Sequence, residues 1–252
     1  MFNKDIGPEV TAFAHALEEE TGCTVYFKRK DLGAGGTGIS GGLTVSARVT
    51  CTNNPKKATI HYDLKKQDRK NIQVMLAHEL GHAYLWFRDG FYLMYWKASI
   101  PDRSKVLGQN CLDLVMDVAV DRLIRGAGFH PWTPDLIERM EQSINTRVKG
   151  EFIVSNSWEA IYEILNRRLA REFMTIDEEQ IPLFDTYFQA SQSVFDSNII
   201  EGVEKRLRII REHNIFESEG NKSAVEALLD EFGIRRLFWF CKIDEDPTQG
   251  LK

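Results

Sequence analysis

The sequence predicts an α+β fold, mostly α, and three observations carry that expectation. β-like segments cluster between Thr24 and Tyr62, where they suit a small antiparallel sheet. The stretch from Asp68 to Phe87, DRKNIQVMLAHELGHAYLWF, keeps Ile72, Met75, Leu76, Ala83 and Phe87 at helical spacing without a proline. Beyond Pro131 the pattern turns to nearly continuous helix.

Taken in order, Pro8 to Glu20 reads as a helix with Val10, Phe13, Ala14 and Leu17 on one face, and a strand follows near Thr24 to Lys28. The next stretch, DLGAGGTGISGG, contains Gly33, Gly35 and Gly38 in the spacing of a dinucleotide-binding turn. A β-like LTVSARVTC follows it instead of a helix opening on a phosphate, so a loop between strands is the better reading. Strands from Leu43 to Cys51 and from Ala58 to Tyr62 are joined by the turn signal Asn53-Asn54-Pro55, and His61 lies on what reads as an edge strand. Asp68 is a candidate cap for the following helix, and Asp89-Gly90 ends it.

That helix carries His78-Glu79-Leu80-Gly81-His82. On a helix, residues four apart share a face, so the two imidazoles can grip one metal ion while Glu79 stands beside it, placed to take a proton from water. Two histidines and a glutamate in an apolar stretch are costly to bury without a common partner, which weighs against the competing reading of a plain core helix. A tetrahedral catalytic zinc needs a third protein ligand. A second helix, from Asn110 to Arg125, offers Asp113, Asp117 and Asp121 at four-residue spacing, a row that a facing cation would ease. A solvated acidic stripe is the alternative, but the sequence VMDVAV argues for burial.

HELGH followed some thirty residues later by an acid-x-x-x-acid helix resembles the zincin metallopeptidases, within them the gluzincin-like group, and distantly the ImmA/IrrE-type metallopeptidases. The resemblance covers about residues 1 to 130. It implies a zincin-like core with a small sheet beside the HExxH helix, a peptide or protein substrate, Zn²⁺ as cofactor and Glu79 as catalytic base. It also implies His78 and His82 as metal ligands with a helix-borne acid as the third, and an acid four residues further on that orients a histidine. Aspartates stand here where glutamate is usual. Asp117 fits the third position if Asp121 orients, and Asp113 fits if Asp117 does; the flanking valines favour Asp117 on grounds of burial.

WFRDGFYLMYWKASIPDR, between the two helices, supplies aromatics for core packing or for a wall over the cleft, with a tyrosine hydroxyl that could stabilise an oxyanion. His130 is a weaker candidate for that role. The division expected is a metallopeptidase domain over 1–130 and a helical extension over 131–252, the latter with helices at 134–148, 158–173, 183–192, 194–212 and 223–240. That extension shows no chemistry of its own and suits recognition of a protein partner.

A net charge of −5 without a basic arm gives no indication of nucleic-acid binding. No apolar run reaches the roughly eighteen residues of a membrane span, and MFNKDIGPEV does not read as a secretory signal, so a cytoplasmic location is expected. Cys23, Cys51, Cys111 and Cys241 form no CxxC pair and read as reduced thiols. The reading that competes with a peptidase is a non-catalytic zinc-binding regulatory or partner-binding protein.

Overall fold

The computed structural model describes residues 5–30, 47–63, 69–149 and 157–246. The glycine-rich stretch 31–42, the strand start at Leu43 and the cap at Asp68 lie outside the described residues. Within them the chain is α+β and mostly helical, with eight α-helices and two small sheets.

Helix α1 (Pro8–Thr21) starts on a proline, whose fixed φ suits a first turn, and ends at Gly22 with φ 69°, the left-handed cap that glycine adopts at little cost. It buries Val10, Ala14 and Leu17. Strands β1 (Thr24–Arg29), β2 (Ala47–Asn53) and β3 (Lys56–Tyr62) form a sheet in the order β1-β3-β2. The expectation of an antiparallel sheet holds only for the β2–β3 hairpin, because β1 runs parallel to β3. His61 is therefore on the central strand, and β2 is an edge. One face of the sheet buries Val25, Val49, Ala58 and Ile60 against α2 (Arg69–Phe87), whose Ile72, Leu76, Ala77, Leu80 and Ala83 are wholly buried.

Helix α3 (Asp102–Gly126) begins two turns earlier than the sequence suggested and is the pivot of the molecule. Cys111, Leu114, Val115 and Val118, at i, i+3, i+4 and i+7, face a core built with the later helices. Met116, Ala119, Val120 and Ile124 face the core built with α1, α2 and the sheet. The later helices are α4 (Pro134–Val148), α5 (Ser157–Glu172), α6 (Ile181–Val194), α7 (Ser197–Arg211) and α8 (Ser218–Glu231). The two cores meet along α3, with Met94, Ile100 and one side of α3 belonging to the helical core.

Leu237-Phe238-Trp239-Phe240 was read as helix, and the structure corrects this. Gly233, with φ 67°, ends the helical run, and β5 (Phe238–Cys241) pairs antiparallel with β4 (Leu93–Trp96). Bulky aromatics suit an extended ribbon, and Phe238 is seated on Gly108 of α3, where any Cβ would collide with its ring.

Gly81 explains how closely α2 and α3 approach. A Cβ there would come within 2.7 Å of Val120 Cγ1 and 3.1 Å of Ile124 Cγ2. Gly81→Ala is expected to push the helices apart and destabilise the fold by about 1–3 kcal/mol, the usual cost of overpacking, despite alanine's better helix propensity. Urea denaturation checks this, and a variant as stable as the parent would show that the contact yields freely.

Candidate metal centre

Helix α2 presents His78 and His82 one turn apart, and α3 brings Asp117 opposite them. Asp117 Oδ1 lies 3.5 Å from His78 Nε2 and 3.4 Å from His82 Nε2. One ligand atom from each of the three residues lies within 4.8 Å of the other two. These spacings are long for charge-assisted hydrogen bonds, which run about 2.7–2.9 Å. They match the edge of a tetrahedron with metal–ligand distances near 2.0 Å, about 3.3 Å. Among the described residues this is the only such group of histidine, cysteine or acidic side chains.

The neighbours of the trio hold it in place. His78 Nδ1 is 3.2 Å from Asp121 Oδ1, which fixes the ring with Nε2 directed at Asp117. The His82 ring stacks on Trp86 at 5.6 Å between centroids and meets the His78 ring edge-on at 4.9 Å. Glu79 Oε2 accepts a hydrogen bond of 2.7 Å from the backbone N–H of Val49, on the outer side of β2. That bond pins the carboxylate against the sheet edge.

Asp113, the other aspartate considered as a ligand, is not brought into the group; its Oδ1 accepts from Gln109 Nε2 at 2.7 Å. Burial, helped by the Asp117 charge, raises its pKa to about 8. Burial pulls His78 down, but Asp117 and Asp121 outweigh it and hold the imidazole well above its usual value. Burial acts upward on Asp117 too, and its two histidine partners overcome it to keep the carboxyl below the usual range. Asp121 is raised by burial in spite of His78.

The Asp113 shift makes a pH prediction. Its folded pKa exceeds the unfolded value near 3.9, so between about pH 4 and pH 8 the folded state keeps a proton that the unfolded state releases, and stability falls as pH rises. In chelator-treated protein, Asp113→Asn is expected to raise the melting temperature relative to the parent at pH 7, with the advantage vanishing below about pH 4. An equal gain at both pH values would mean the carboxyl is not the cause.

Comparison of the chain with family models, with curated proteins and with solved structures returned no match.

Other expected positions fall elsewhere. His130 Nδ1 is 3.0 Å from Asp177 at an exposed site, bonded to none of the cluster. In the aromatic segment, the Tyr92 hydroxyl donates to Glu219 and Tyr95 stacks on Trp239, so neither tyrosine is turned to the histidines. The sequence reading missed Tyr162 on α5. Burial, then the charges of Asp117 and Asp113, hold its phenol well above the ordinary tyrosine pKa. Nothing in its local sequence signals this, because only the packing of α5 on α3 brings it near.

Proposed function

We propose that the chain is a zinc-dependent metallopeptidase with a zincin-type core, in which His78, His82 and Asp117 hold the metal and Glu79 is the catalytic base. The observation that carries the reading is the convergence of two imidazole nitrogens on one carboxylate oxygen at 3.5 and 3.4 Å, with the carboxylate of Glu79, on the same helix as the histidines, fixed by the Val49 N–H. Two nitrogens and one oxygen are a donor set suited to catalytic zinc, which keeps a fourth position open.

Zinc, when bound, would supply Lewis acidity, lowering the pKa of water and polarising a substrate carbonyl. Glu79 then takes the proton of the attacking water and passes it to the departing amine. Asp121 holds the His78 ring in the tautomer that leaves Nε2 unprotonated. Among the described residues no strand pairs with the outer edge of β2, and that edge suits an extended substrate adding as a further strand next to Glu79.

The test is metal analysis of the purified chain together with a cleavage assay on a broad peptide mixture. About one zinc per chain and cleavage abolished by a chelator are expected. Zinc retention with no cleavage across the mixture would favour the non-catalytic regulatory reading, and no metal binding would overturn both.

A further inference from the structure

The three strands beside the metal centre hold five lysines and arginines and not one aspartate or glutamate, in a chain whose net charge is −5. Alternation places their side chains on two faces. The inner face is core, whereas the outer face carries Lys28 and Arg48 in one row with His61 between them, and Lys57 four residues from His61 along β3. Lys30 extends the same side just past β1. Lys28, Lys30 and Arg48 are exposed, and among the described residues none of the four cations pairs with a carboxylate. Tyr26, 44% exposed, lies under the Lys57 ammonium at 4.5 Å. The crowding is felt by His61, whose pKa is lowered by burial and then by Lys30, Lys28 and Arg48.

We propose that this outer sheet face is a docking surface for an acidic, extended peptide segment, held through Lys28, Lys30, Arg48 and Lys57. Charge complementarity selects an anionic occupant, and the dimensions favour a short one. Six-residue strands span about 20 Å, and three strands are about 10 Å across. A long nucleic acid would overrun this patch onto a net-acidic molecule, and the face offers one exposed aromatic instead of the row of stacking platforms that single strands use. Arg48 and Thr50 flank Val49, whose N–H holds Glu79, so an acidic segment on this face runs beside the proposed catalytic edge. Its use in selecting substrates rests on the peptidase reading; the binding itself does not.

The experiment uses the full chain carrying Glu79→Gln, so that nothing is cleaved. Fluorescence anisotropy at low salt compares a labelled octapeptide of alternating glutamate and serine with its lysine–serine counterpart and with an octathymidylate. The acidic peptide is expected to bind at least about tenfold more tightly than either, and the double substitution Lys28→Glu, Arg48→Glu to abolish that margin. Circular dichroism monitors folding, and the milder Lys28→Gln, Arg48→Gln pair, expected to reduce the margin partway, serves if the reversal unfolds the chain. Equal binding of the three probes, tighter binding of the oligonucleotide, or an unchanged margin in the folded variant would overturn the proposal. So would a salt-sensitive dimer lost on charge reversal, which would make a second copy the occupant. Acidic-peptide binding by a parent chain that cleaves nothing would leave this inference standing and remove the peptidase reading.

Discussion

Glu79→Gln is expected to retain fold and metal while turnover falls by about 10² to 10⁴-fold, the range of a general-base contribution. Glutamine is the informative replacement because its amide oxygen can still accept the N–H of Val49, so the sheet edge stays where it is. Alanine would leave that donor unpaired, at a cost of about 1–3 kcal/mol, and would mix a shift of β2 with the loss of the base. The comparison requires a peptide that the parent cleaves and that a chelator protects. Full activity in Glu79→Gln would remove Glu79 from the chemistry while leaving the metal in place.

The second large effect concerns metal affinity. Asp117→Ala, His78→Ala and His82→Ala each remove one of three converging atoms and are expected to lose most of the zinc. Asp121→Ala removes only the partner of His78 Nδ1, for an expected loss of about 10- to 100-fold. Asp113→Ala should change affinity least, because its carboxyl is engaged with Gln109. The row of aspartates alone left Asp113 open beside Asp117 as the third ligand. Titration against a competing chelator checks the series. Parent-like affinity in all three aspartate variants would move the third ligand elsewhere.

Why the aspartates could not be told apart from sequence is a matter of register. Acids at i, i+4 and i+8 are equivalent on an isolated helix; which one meets the histidines depends on how far α3 slides along α2. The contact of Gly81 with Val120 and Ile124 fixes that slide. HELGH, by contrast, placed His78 and His82 on one helix face from sequence alone, since its period is local. Helices α1, α2, α4 and α5 were also legible, because their apolar spacing and proline or glycine boundaries lie within the segments themselves. Parallel pairing of β1 with β3 was not, because the alternation of apolar residues is the same in either orientation. Nor was β5, whose four aromatic and apolar residues gain their conformation from β4, well over a hundred residues earlier. Tyr162 belongs to the same class, brought under the influence of Asp113 and Asp117 only by the packing of α5 on α3.

The ribbon of β4 and β5 has a consequence for the order in which the protein comes into being during synthesis. Strand β4 must wait for residues 238–241 before it has a partner, and the side of α3 bearing Leu114, Val115 and Val118 waits for the helices that cover it. Asp117 rides on that same helix. A nascent chain therefore carries His78, His82 and Asp117, set by the packing of α2 on α3, while the opposite side of α3 is still uncovered, and the helical core closes only after β5 has emerged.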